Sequence, residues 1–244
     1  MFAIWLLTSS AALAETRIRI ATPGASGDLR DALLATSLLF QAARDDVTDA
    51  EELLAAAQAD YARLLGTLYA HARFGGIITI RIDGREAAAI PPYDPPARIR
   101  GIDVRVAPGP VYLFAEARAA PIAPRTEMPL AFAPGQPAGT DVILGAAEAA
   151  IEGWRSEGHA KARIADQYIV AHHDDDKITA RLAVAPGPRL TFGPVRVEGN
   201  ESVRTMRVLT IAGLPEGHTF DPKDIDRAAV RLRRAGSFRS VTIQ

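Results

Sequence analysis

The sequence predicts an α+β protein built as a tandem of small β-α-α-β-β units, each with two helices packed on a small mixed three-stranded sheet. Three observations carry that prediction. Val106-Ala107-Pro108-Gly109-Pro110 recurs 78 residues later as Val184-Ala185-Pro186-Gly187-Pro188. The flanks of this turn repeat in phase: Ile102, Val104 and Val106 alternate into the first copy, and Tyr112 and Phe114 alternate out of it. Ala180, Leu182 and Val184 lead into the second copy, and Leu190 and Phe192 lead out of it. Each interval between turns also carries a helical apolar stripe followed by segments of period two, so one module is used repeatedly.

In the first unit, Arg17 to Ile20 reads as a strand and Asp28 to Phe40 as a helix. Thr48 stands three residues before Glu51, the spacing of a capping box. The helix it opens carries Leu54, Ala57, Tyr61, Leu64, Leu65 and Leu68 on one stripe and ends near Phe74-Gly75-Gly76. Ile78, Ile80 and Ile82 alternate as a strand, and a Pro-rich loop leads to the strand ending at Val106. The second unit opens with a strand from Val111 to Ala117, and five prolines between Pro121 and Pro137 break the region of its first helix. A helix over Thr140 to Glu157 follows, then strands over Lys161 to Val170 and Lys177 to Val184. The third unit reads as a strand over Leu190 to Glu198, a short helix over Ser202 to Ile211, and a second helix opened by Asp221-Pro222-Lys223-Asp224. An Asp cap, Pro at the first helical position and an acid in the first turn make that a strong start signal. A strand from Phe238 to Gln244 follows.

Of 244 residues, 48% are hydrophobic and 23% charged, a globular composition rather than a disordered one. The net charge of −1 supplies no basic field for a nucleic-acid partner. Without cysteine, disulfides and thiolate metal sites are excluded. Phe2 to Leu7 is apolar, and Ala12-Leu13-Ala14 precedes Glu15, the pattern of a secretory signal too short to span a bilayer. No Lys or Arg precedes that apolar run. Residues 1–14 are therefore expected to be a signal peptide and the mature chain to be exported. The domain boundaries expected are 15–107, 108–186 and 187–244, the third lacking its last strand.

The run Phe192-x-x-Val195-x-Val197-x-Gly199-Asn200, then Gly217-x-x-Phe220, Ile225 and Leu232, and Gly236-Ser237-Phe238-x-x-Val241-x-Ile243 resembles a POTRA domain. The two upstream units are similar in order and length. Three such domains after a signal peptide resemble the periplasmic part of the Omp85 superfamily of outer-membrane assembly proteins, most like its TamA branch. The resemblance implies that the last strand of each domain lies mid-sheet and the second at an edge. It implies a location on the periplasmic side of the outer membrane and a C-terminal membrane barrel, which this sequence lacks, so the chain reads as a fragment. It also implies a TamB-like periplasm-spanning partner and unfolded outer-membrane or autotransporter clients, with no catalysis and no cofactor.

A short sheet covered on one face leaves an edge of unpaired backbone groups to which an extended segment can add as another strand. The candidate partner-binding residues are Ile77, Ile78, Thr79 and Ile80 in the first unit. In the second they are Ile164, Ala165, Asp166, Gln167 and Tyr168, and in the third Phe238, Val241 and Ile243. The competing reading is that these strands are structural only, blunted by Arg and Asp side chains. His172-His173-Asp174-Asp175-Asp176 is the one cluster suggestive of a metal, but no second ligand group accompanies it, and it falls in an expected hairpin loop. Arg227, Arg231, Arg233 and Arg234 on the last helix read as a solvated face or a contact for anionic headgroups. Trp154 reads as core. No phosphate loop, Gly-x-Ser-x-Gly or His-Glu-x-x-His motif is present. Two alternatives remain: the POTRA region of a two-partner secretion transporter, and a small periplasmic hydrolase built on His172 and neighbouring carboxylates.

Overall fold

Each unit is organised around its last strand. The computed structural model describes residues 16–200, 203–238 and 240–243, so the expected signal peptide lies outside the described residues, as do Glu201, Ser202, Arg239 and Gln244. The chain divides into two compact units, one ending at Val111 and one beginning at Tyr112.

The first unit runs β1 (Arg17–Ala21), α1 (Gly27–Thr36), α2 (Leu38–Arg44), α3 (Ala50–Ala70), β2 (Ile77–Ile82), β3 (Arg85–Glu86), a 3₁₀ turn at Ala87–Ala89 and β4 (Gly101–Ala107). The sheet order is β1-β4-β2-β3, with β1 parallel and β2 antiparallel to the central β4. Ile102, Val104 and Val106 of β4, with Ile80 and Ile82 of β2, turn one face of the sheet onto the helices. Leu29, Leu33, Leu53, Leu54, Leu64 and Leu68 fill the other side of that core. The extra strand β3 arises from Asp83-Gly84, whose φ angles of 48° and 86° suit the tight hairpin turn that Asp-Gly favours.

The helix expected over Asp28 to Phe40 is two helices, broken at Ser37. Ser37 caps α2 by accepting from Phe40 N at 3.1 Å, and its hydroxyl donates to Asp60 Oδ2 at 2.6 Å. Asp60, on α3, is 0% exposed and also accepts from Leu38 N at 2.7 Å and Leu39 N at 3.1 Å. A buried carboxylate thus satisfies donors that the start of α2 would leave orphaned. The cap of α3 is Asp49, accepting from Glu52 N at 2.9 Å, one residue later than the Thr48 box expected.

The second unit begins with β5 (Leu113–Ala120), α4 (Thr140–Ser156), β6 (Arg163–His172) and β7 (Lys177–Ala185) in the order β5-β7-β6. The parallel and antiparallel pairings of the first sheet recur, again with the last strand central. No helix forms between β5 and α4; Phe132 packs on Phe114 from that Pro-rich stretch with ring centroids 5.4 Å apart. Trp154 is half-buried and donates from Nε1 to Pro121 O at 2.9 Å, fastening the same loop.

Helices α5 (Thr205–Ala212) and α6 (Pro222–Arg234) follow. Asp221 caps α6 by accepting from Lys223 N at 2.9 Å, with Pro222 at the first position, as the start signal anticipates. Leu190 to Glu198 and Phe238 to Gln244 are expected as strands, but among their described residues no strand forms: Thr191 makes an isolated bridge to Thr219, and Phe192 bonds the backbone of Gly217 and His218. A strand exists only where another supplies its hydrogen bonds, and among the described residues none lies beside these segments.

The repeat seen in the sequence recurs in three dimensions. Phe114 accepts from Gly135 N at 2.8 Å and donates to Gln136 O at 2.9 Å; Phe192 does the same with Gly217 N at 2.8 Å and His218 O at 2.9 Å. Ala138 N to Tyr112 O (2.9 Å) and Phe220 N to Leu190 O (3.0 Å) complete the matched set. The Pro-Gly-Pro turns match as well. Gly109 and Gly187 hold φ near +70° (70° and 71°), a conformation that favours glycine. Arg73 donates to Gly109 O at 2.6 Å, and His159 Nδ1 lies 2.8 Å from Gly187 O. Both side chains follow helix ends of one kind, where Arg73 N reaches Leu68 O (2.8 Å) and His159 N reaches Trp154 O (3.0 Å).

Candidate functional site

The three stretches expected to bind partners differ sharply in what their backbones offer. In β2 the residues facing away from β4 are Ile78, Ile80 and Ile82. Ile82 is used by the hairpin to Arg85. Ile80 is closed by side chains: its N–H donates to Glu86 Oε1 at 3.3 Å, and its carbonyl lies 3.2 Å from the Tyr61 hydroxyl. That hydroxyl also donates to Glu86 Oε1. Burial first, and the bonded Glu86 carboxylate second, push the Tyr61 pKa up to about 12. Only Ile78, with exposed Ile77 beside it, is left open on this edge.

The β6 edge is open further along. Leu113 N donates to Asp176 O at 3.0 Å, so even-numbered residues of β7 face β5 and odd-numbered ones face β6. Opposite those odd residues lie Asp166, Tyr168, Val170 and His172. The outward-facing residues are therefore Gln167, Ile169 and Ala171. A bulge at Ala165 interrupts the register, and Asp166 Oδ1 accepts from Gln167 N at 2.9 Å. The stretch from Ile164 to Gln167 is thus obstructed, and the unobstructed backbone lies at Ile169 and Ala171, one and three residues beyond the expected set. Apolar surface accompanies it: Tyr168 is 51% and Ile169 41% exposed, on opposite faces. Tyr168 lies under the Arg181 guanidinium, 5.5 Å from the ring centroid, and Arg181 pairs with Glu116 at 2.6 Å. That pair holds the Glu116 carboxyl below its usual range and the Arg181 pKa above its own.

In the third stretch, Phe238, Val241 and Ile243 pack on the small core of Val208, Ala212, Ala228 and Leu232. With Val195 to Asn200 they line a groove of about 510 Å³.

The remaining constellations resolve into structural roles. His172 Nε2 lies 3.0 Å from Thr179 Oγ1, and Asp175 pairs with Lys177 at 2.8 Å. His173 Nδ1 lies 2.6 Å from the hydroxyl of buried Tyr112, whose pKa is raised by burial and then by the charge of Asp176. Among the described residues no group of three or more His, Cys, Asp or Glu could hold a metal ion. Arg231 is exposed and donates to the carbonyls of Ile211 (3.1 Å) and Ala212 (3.1 Å), closing the end of α5. Arg227 pairs with Asp224 at 2.6 Å. No helix among the described residues is long and apolar enough to cross a membrane.

This arrangement is that of POTRA domains. The chain superposes on POTRA domains 3–5 of BamA from Haemophilus influenzae with a TM-score of 0.57 at 14% identity, covering 94% of this chain and 88% of that one. It also matches POTRA1-3 of the periplasmic domain of Omp85 from Anabaena, with a TM-score of 0.36 at 12% identity over 94% of this chain and 86% of that one. The N-terminal domain of Omp85 from Thermosynechococcus elongatus gives 0.35 at 13% identity over 95% and 88%. No protein-family model and no curated protein matches the sequence. At such identity the likeness to BamA establishes the fold, and it does so over nearly the whole chain.

Proposed function

We propose that this chain is the periplasmic POTRA region of an Omp85-superfamily protein that assists assembly at the outer membrane. In this reading it is a binding module with no catalytic role, exported by the signal in residues 1–14. Its three domains are 15–107, 108–186 and 187–244, it resembles the TamA branch, and a TamB-like protein is its partner. Its clients are unfolded outer-membrane or autotransporter segments, held by addition of a strand at Ile169 and Ala171 and, more weakly, at Ile78. The observation carrying the reading is the likeness to BamA POTRA domains 3–5 along 94% of the chain. The open, partly apolar edge of β6 supports the mode of binding, because main-chain pairing tolerates the varied sequences such clients present.

The test uses a fluorescent peptide copied from an outer-membrane barrel strand, with alternating apolar residues. Saturable binding to the chain, abolished by N-methylation of alternate peptide amides, is expected. Equal binding of both peptides, or of neither, refutes strand addition.

A further inference from the structure

Helices α4 and α6 carry exposed faces of opposite charge, each with an exposed aliphatic side chain within it. On α4, buried Ile143, Ala146 and Ala150 face the sheet. The opposite face, at helical spacings of three and four, is Asp141, Leu144, Glu148 and Glu152, all exposed. Leu144 is 61% exposed. The Pro-rich loop runs beside this face and leaves it open: a methyl at Gly145 would meet Pro129 at 3.9 Å, and one at Gly153 would strike Thr126. On α6, Ala228 and Leu232 are buried, and the opposite face is Lys223, Arg227, Val230 and Arg234, all exposed. Val230 is 39% exposed. Arg227 pairs with Asp224 at 2.6 Å, and Asp226 lies beside the stripe, but cations outnumber acids on this face. Among the described residues, Asp141, Glu148, Glu152, Lys223 and Arg234 make no ion pair within the chain.

We propose that α4 of one copy docks antiparallel on α6 of a second copy, with Leu144 against Val230. The spacings select this register. At about 1.5 Å of rise per residue, setting Leu144 beside Val230 brings Asp141, Glu148 and Glu152 level with Arg234, Arg227 and Lys223, each to within about 1.5 Å along the axis. The parallel alignment matches only Asp141 with Arg227 and Glu148 with Arg234, leaving Glu152 and Lys223 unmatched. The net charge of −1 imposes no overall repulsion between copies. Charge fixes partner and orientation, while the aliphatic pair leaves water. Exposed ion pairs contribute little singly, so the association is weak and salt-sensitive. The proposal rests on these two faces and not on the outer-membrane reading.

The experiment is sedimentation velocity of the whole chain across a range of concentrations. Self-association is expected, weakened tenfold or more between about 0.01 M and about 1 M salt, as the screening length falls from about 30 Å to about 3 Å. Reversing one face with Asp141→Lys and Glu152→Lys, or the other with Lys223→Glu and Arg234→Glu, abolishes it. An equimolar mixture of the two variants associates again, because each then offers a surface the other fits; misfolded variants do not rescue each other. The milder Glu152→Gln weakens association about two- to fivefold. A native chain that stays monomeric throughout overturns the proposal, as do reversed variants that associate like the native chain, or a mixture of folded variants that stays monomeric. Binding of the barrel-strand peptide at β6 is a separate titration, so either proposal can fail alone.

Discussion

Replacing Glu86 with alanine removes the carboxylate that closes the β2 edge and strips two donors of their shared acceptor. Ile80 N–H loses its partner at 3.3 Å, and the Tyr61 hydroxyl loses a charged one. A hydrogen bond to a charged group contributes about 1.5–3 kcal/mol when buried. The Glu86 side chain is 40% exposed, so solvent screening reduces this to about 1 kcal/mol. With a urea m-value of about 1 kcal/mol/M for a unit of this size, the unfolding midpoint of the first unit falls by about 1 M. The Tyr61 pKa, about 12 against an ordinary 10.0, drops but stays above the ordinary value, because burial is the larger cause. The pH effect has a definite sign. Raised affinity for the proton in the folded state stabilises fully below pH 10 and is lost as pH rises from about 10 to about 12. Glu86→Ala weakens that alkaline loss. The assays are urea titration and ¹³C NMR of the Tyr61 ring across the alkaline range, with the Ile80 amide exchanging faster in the variant. An unmoved Tyr61 titration together with an unshifted midpoint refutes the capped-edge argument.

Asp60→Ala leaves the N–H groups of Leu38 and Leu39 and the Ser37 hydroxyl without their acceptor. The orphaned donors outweigh the relief of carboxylate burial, for a net loss of about 3 kcal/mol in urea unfolding, and Asp60→Asn falls between this variant and the native chain. Gly158→Ala places a methyl 2.5 Å from Thr219 Cγ2 at a φ of +98°, where the carbonyl of Gly158 also accepts from Leu190 N at 2.8 Å. It lowers stability by about 2 kcal/mol in unfolding followed by Trp154 fluorescence, and Thr219→Ala in the same chain recovers part of the loss.

What the sequence revealed and what it hid divide along physical lines. Local signals were legible: the Pro-Gly-Pro turns, the Asp221-Pro222 helix start, and the alternation of Ile78, Ile80 and Ile82, each encoded within a few residues. The break at Ser37 was hidden because its cause, Asp60, lies on another helix. Its trace is a lone acid among Ala57, Leu64 and Leu68 of an apolar stripe. The β3 hairpin had a signal in Asp83-Gly84 that the alternating run before it masked. The edges required structure, since Tyr61 and Glu86 close Ile80 from separate elements, and Asp166 folds back on Gln167. The bulge at Ala165 shifts the open backbone to Ile169 and Ala171, which alternation alone does not reveal. Apolar alternation in Val197, Val241 and Ile243 marks a face that packs on the α5 and α6 core, and among the described residues no strand forms there. Pairing depends on a neighbour.

Residue-resolved hydrogen exchange of the native chain, with and without the barrel-strand peptide at saturation, tests the account most directly. Slowed exchange at Ile169 and Ala171, with Ile80 unchanged behind its Glu86 cap, is the expected pattern. Bound peptide with no slowing at either β6 amide contradicts it.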